Sequence, residues 1–207
     1  TTSGGGTLNV AEMPAGGLVL GGGTLAFTGA SAASSQPVTI ASGTNAAVLR
    51  TAADLTFSGP FSTVSGAFFK SGAGAATIAG ANSNLLGLAN AANMGGVAAA
   101  GADGDGPIAG YGAFNVAEGR VTLGAAGQTN VISGALLVGL NTTAAADAET
   151  AGELVLAGGL TVCQDWTYVG RNNGTTVTAP GGRASRLVVQ DGELNTVNLS
   201  LGGAAGF

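Results

Sequence analysis

The carboxylates able to do acid–base chemistry in this 207-residue chain number eleven: Glu12, Asp54, Asp103, Asp105, Glu118, Asp147, Glu149, Glu153, Asp165, Asp191 and Glu193. There is no histidine, so the commonest general base is missing, and triads built on it are excluded. One cysteine without histidine also excludes the usual zinc sites. Hydrolysis of a polysaccharide needs two or more carboxylates facing one groove, and a lyase needs clustered acids for calcium beside a basic residue. Most of the acids here stand singly at turns. Asp165, Asp191 and Glu193, with Arg171 and Arg186, could cluster on adjacent layers of a repeat, although solvated corner ion pairs are the plainer expectation. In "GADGDGP", Asp103 and Asp105 are spaced like the start of a calcium loop, but no bidentate glutamate closes it. A turn is expected there. Cys163 cannot form an internal disulfide and is expected as a small buried hydrophobe, an intermolecular bridge being the alternative. No enzyme is expected, and no catalytic residue, cofactor site or metal site.

The composition bounds what could position such groups. Charged residues make up 8% of the chain, against roughly 25% in an ordinary soluble domain. Residues 13–49 and 71–102 carry no charge at all. A mean hydropathy of +0.42 is too high for the disordered class, so the chain should fold. The length fits one domain or one section of a longer rod. The longest neutral stretch, "LLGLANAANMGGVAAAGA", is broken by glycine and asparagine, so no membrane span is expected. The opening "TTSGGGTLNV" lacks the basic start and apolar run of a signal peptide, which fits a mature product or a piece of a precursor. A net charge of −5, with six scattered basic residues, argues against nucleic acid as a partner.

Short alternating segments closed by glycine recur along the chain: "GTLAFTG" (23–29), "PVTIASG" (37–43), "DLTFSG" (54–59), "ATIAG" (76–80), "RVTLG" (120–124) and "NVISG" (130–134). Apolar residues at i and i+2 give strands with one buried face. Many such strands between Gly, Ser, Asn and Thr turns mean an all-β protein. One exception is a short helical turn expected over 84–94, capped by Ser83 or Asn84 and ended by Gly95 and Gly96.

An internal repeat appears when "ALLVGLN", "WTYVGRN" and "NLSLGGA" are laid over one another. Gly139, Gly170 and Gly202 then align at spacings of 31 and 32 residues. A period in this range means a stacked repeat. We therefore expect a right-handed parallel β-solenoid (β-helix) of about eight to ten coils. The alternative is an antiparallel β-sandwich. Solenoid coils are expected over 1–80 and 113–207, with 81–112 an irregular insertion or loop. The expected inward rows are Leu18, Leu20, Leu25, Phe27, Leu55, Phe57, Val121, Leu123, Leu154, Leu156, Leu160, Val162, Leu187, Val189 and Leu194. A regular Thr-x-Thr ladder for ice binding is absent, since "TTVT" (175–178) is isolated.

The string "LTFSGPFSTVSGAFFKSGAGAATIAG", Leu55 to Gly80, resembles the autotransporter-associated β-strand repeat family. There a Thr-Phe-Ser-Gly turn leads to Lys-Ser/Thr-Gly-Ala-Gly and then a Thr-Leu-x-Leu-x-Gly strand. Lys70, Gly72, Gly74 and Ile78 occupy the matching positions. "LVLAGGLTV" with "YVGRNNG" is similar to the related Val-Gly-x-x-Gly passenger repeats. Residues 81–112 depart from the pattern. On this resemblance Lys70 is expected at an outward corner with its charge in water, while Phe69 and Ile78 point inward. The resemblance implies a bacterial, extracellular or cell-surface location, which the scarcity of cysteine supports. Under it the glycosylation-like strings at Asn141, Asn173 and Asn198 carry no consequence.

The expected function is a structural surface fibre or filament built by self-assembly. The alternative is an adhesin passenger that binds a glycan or a host partner. Terminal coils without a helix or charge cluster to cap them imply end-to-end self-association, with Phe207 placed for a partner coil to cover.

Overall fold

The protein is described from a computed structural model that covers residues 2–3, 6–80, 113–139, 152–170 and 185–201. The helical turn expected over 84–94, the insertion at 81–112, the pair Asp103 and Asp105, and Asn141, Arg171, Asn173, Gly202 and Phe207 lie outside these residues.

The described residues hold strands and no helix. In chain order they are β1 (Thr2–Ser3), β2 (Thr7–Val10), β3 (Leu18–Gly21), β4 (Gly23–Phe27), β5 (Ala32–Ser34), β6 (Val38–Thr51), β7 (Leu55–Phe57), β8 (Phe61–Ser71) and β9 (Ala75–Ile78). Then follow β10 (Ala113–Val116), β11 (Gly119–Leu123), β12 (Thr129–Ile132), β13 (Ala135–Val138), β14 (Gly152–Leu156), β15 (Gly159–Val169), β16 (Arg186–Val189) and β17 (Gly192–Leu201). Every pairing among them is parallel. The fold is a parallel β-solenoid, and the antiparallel sandwich is excluded.

The strands lie on three faces. β6 pairs through its first half with β3 and through its second half with β4. The break between β3 and β4 falls at Gly22 and Gly23, with φ of 103° and 73°. Those angles favour glycine, which is why the corner is written in glycine. β8, β15 and β17 repeat this two-face arrangement. The third face stacks β5, β7, β9, β11, β14 and β16. Pairing of β8 with β10 carries the sheet across the 81–112 interval.

The sequence repeat is the coil. Glu153 to Leu156 lie in register with Arg186 to Val189, and Gly159 with Gly192. Val138 stacks on Val169, which places Gly139 and Gly170 at one corner of adjacent coils, both with φ of 70°. On the second face β2, β4, β6, β8, β10, β13, β15 and β17 make eight layers. At about 4.8 Å per layer they span roughly 34 Å.

The interior is apolar because alternate residues of every strand point at the axis. Leu18, Leu20, Leu25, Phe27, Leu55, Phe57, Val121, Leu123, Leu154 and Leu156 are buried in one core, as expected. A file of aromatics runs through its middle, with ring centroids 6.0 Å apart for Phe57 and Phe61, 5.4 Å for Phe61 and Phe68, and 5.3 Å for Phe68 and Phe114. The edge-on geometry of the first two pairs is the favoured one.

Three expectations need correction. Leu160 and Val162 point away from the axis, and Thr161 and Cys163 point inward, stacked on Asn130 and Ile132. Val189 has the inward phase, beside Leu156, but is exposed because it lies in the final described layer. Leu187 and Leu194 are only partly buried for the same reason. Phe69 is buried, but on the side opposite Phe68 and outside the core.

Candidate functional site

Lys70 holds the most unusual position among the described residues. It continues the inward phase of Phe68 along β8, so it becomes one rung of an interior ladder. That ladder reads Leu8, Leu25, Leu49, Lys70, Val116, Val138, Val169 and Leu201. The side chain is 0% exposed. The expectation of an outward corner with the charge in water is therefore corrected. Its aliphatic stem replaces a leucine between Leu49 and Val116, and its ammonium ends at the turn into the third face.

There the Nζ group donates to the carbonyls of Ser71 and Gly72, both at 2.7 Å, and to that of Glu118 at 3.4 Å. Three donors meet three carbonyl acceptors, which uses the full capacity of an ammonium. The Gly72 amide donates to Glu118 Oε2 at 2.6 Å, and the Ala75 amide to Asp54 Oδ1 at 2.8 Å. Burial pushes the Lys70 ammonium down from 10.5 to about 8, while the charges of Glu118 and Asp54 act against that shift. A lysine lowered this way can serve as a nucleophile or base. Here no substrate can approach it, and every N–H is committed. Its chemistry is to fasten one coil to the next.

The Lys-Ser-Gly-Ala-Gly turn is built around this fastening. Gly72 has φ of 77°, and a Cβ there would run into the Thr51 carbonyl. A Cβ on Gly74 would meet the Ala53 carbonyl. Gly127 has the same φ of 77° with open space around it, so it isolates the backbone cost. Gly72→Ala is expected to lose about 3 kcal/mol of stability in denaturant titration, against about 1 kcal/mol for Gly127→Ala. Equal losses would show that close approach of the coils plays no part.

The acids with the types for a catalytic group do not converge. Glu193 stacks on Leu160. Asp165 lies at the break in register of β15 between Cys163 and Trp166, where the strand turns from one face to the next. Arg186 bonds instead to Glu153 Oε1 at 2.7 Å, and Arg120 bonds to the other oxygen at 2.7 Å. This ion pair ladder joins three successive coils on the outer third face. No sequence signal short of the register could have paired those residues. Among the described residues, no three His, Cys, Asp or Glu side chains lie together as a metal would require.

Cys163 is buried and free, its thiol directed at the carbonyls of Gly134, Asp165 and Trp166 between 3.3 and 3.6 Å. The small buried role is its observed one, and an intermolecular bridge would require the corner to open. Just beyond it, Trp166 and Tyr168 stack on the outer face with centroids 5.5 Å apart and planes within 8°. Trp166 is exposed. A search of protein families, curated proteins and solved structures finds no match to this chain.

Proposed function

We propose that this chain is a non-enzymatic structural segment or subunit of an extracellular surface fibre, one that self-associates end to end. A single observation carries the reading: the described strands form one stack of coils with every pairing parallel, under a surface with few charges. A solenoid with so little charge has little to keep neighbouring copies apart. The resemblance of Leu55 to Gly80 to autotransporter-associated repeats, and the neutral surface, support the cell-surface location.

Purified chain is expected to form unbranched fibres by negative stain and to sediment as a concentration-dependent series. A stable monomer at high concentration would overturn the reading. The second reading is an adhesin that binds a glycan, and the exposed, stacked Trp166 is what favours it, since amphipathic rings concentrate at recognition surfaces. Saturable binding on a glycan array, without fibres, would select it.

A further inference from the structure

We infer that the outer side of β15 carries a binding site for a neutral saccharide, with Trp166 as its platform and Gln164, Asp165, Asn198 and Ser200 as its polar rim. The inference rests on the second reading above and deepens it by naming the ligand class and the residues. It concerns the side of the stack and not its ends.

The aromatic pair supplies the argument. Alternation along β15 turns Thr167 inward, where it is buried, and leaves Trp166 and Tyr168 outward on either side of it. This part of the strand is paired along both edges, with Leu136 to Val138 of β13 on one side and Asn198 to Leu201 of β17 on the other. The exposure of Trp166, 41%, therefore belongs to the outer face of the sheet and not to an edge of the stack. Large rings elsewhere are treated differently: Phe27, Phe57, Phe61, Phe68 and Phe114 are fully buried. The indole is also held in place. Its ring lies parallel to that of Tyr168 within 8°, which fixes its plane. A rigid, amphipathic ring offers contact area at little further cost in entropy.

The rim decides the ligand class. Gln164 is exposed and Asp165 half-buried immediately before the platform. Asn198 lies in register with Trp166, and Ser200 with Tyr168, one layer away at about 4.8 Å. Amides, a carboxylate and a hydroxyl together supply donors and acceptors for neighbouring sugar hydroxyls. The C–H face of a pyranose ring is apolar and matches the indole. Among the described residues the cations lie elsewhere. Arg120 and Arg186 belong to the third face, and Arg50 to β6, separated from β15 by β8, β10 and β13. A phosphate or sulfate group would meet Asp165 with no cation to offset it, so the geometry favours an uncharged sugar over a nucleotide or an acidic polysaccharide. A bare hydrocarbon would leave the polar rim unmatched.

Trp166 is the only tryptophan, so the indole emission of the full chain reports on the platform alone. Titration with cellohexaose, chitohexaose and mannohexaose should give a saturable blue shift with at least one of them. Calorimetry with that saccharide should show binding about tenfold weaker in Trp166→Ala and largely restored in Trp166→Phe. Asn198→Ala should weaken binding severalfold. Val64→Ala, at an exposed position on β8, should bind as the parent does, and circular dichroism of every variant should match the parent. Saccharide binding that leaves the emission unmoved, or that survives Trp166→Ala unchanged, would overturn the platform and leave the glycan reading standing. A shift given only by an acidic saccharide such as oligogalacturonate would overturn the neutral class. A chain that binds no saccharide would overturn the site and the glycan reading together.

Discussion

Leu156→Asp is expected to abolish the native fold. Leu156 is 1% exposed and sits between Leu123 and Val189 on the inner side of the third face. Removing the buried leucine costs about 2–5 kcal/mol. Placing an unpaired carboxylate in the same apolar stack adds several more. The total rivals the whole stability of a typical domain, about 5–15 kcal/mol. Circular dichroism should show loss of the strand signal at room temperature. Val155→Asp, one residue away on the outer side, should cost only about 1 kcal/mol. Similar losses at the two positions would mean that the strand phase on this face is wrong.

The second large effect concerns Lys70, and it is read through pH. Folding lowers this lysine from 10.5 to about 8 by burial, against the pull of Glu118 and Asp54. Between about pH 8 and pH 10.5 the unfolded chain keeps a proton that the folded chain has released, so stability rises as pH rises through that window. The rise amounts to about 3 kcal/mol, gained at about 1.4 kcal/mol for each pH step of one across the window. Below about pH 8 both states are protonated and Lys70 adds no slope.

Lys70→Met keeps the stem between Leu49 and Val116 but leaves the carbonyls of Ser71, Gly72 and Glu118 without the ammonium. At pH 7 the variant should be less stable by about 1–2 kcal/mol, because losing hydrogen bonds to a charged donor outweighs relief of its desolvation. The gap between the two proteins should widen by about 3 kcal/mol from pH 8 to pH 10.5. Denaturant titrations of both proteins across that range give the difference directly and cancel the other titrating groups. A flat difference would show that the ammonium is solvated after all. A variant more stable at every pH would show that the three carbonyls need no donor.

Solenoid geometry explains why a lysine is tolerated in such a place. The interior of each face is largely a ladder of apolar residues, but the corners after Lys70 and Cys163 turn backbone carbonyls toward those side chains. A long, straight side chain at the last rung before a corner can fill the ladder with methylenes and still reach those carbonyls. Cys163 answers the same need at another corner with a weaker donor.

The alternating pattern and the glycine punctuation determined, by themselves, that the chain is all-β, that its strands stack as coils, and which coils align. The register of Glu153 to Leu156 on Arg186 to Val189 follows directly from "GELVL" and "SRLVV". The inward side was also legible wherever one parity is apolar and the other polar or small, as at Leu55 and Phe57 or Val121 and Leu123. Where both parities are apolar, a period of two carries no sign. In Phe68-Phe69-Lys70 either phenylalanine satisfies the pattern, and in Leu160-Thr161-Val162-Cys163 both phases offer a hydrophobe. Only pairing of Lys70 with Leu49 and Val116, and of Thr161 with Asn130, chose between them. Tertiary structure alone decided that the single lysine is inside, that Glu153 joins Arg120 to Arg186, and that Leu8 and Leu201 are opposite ends of one ladder. Each depends on which residues of distant coils share a rung, and that is set by the summed hydrogen bonding of whole coils rather than by any local preference.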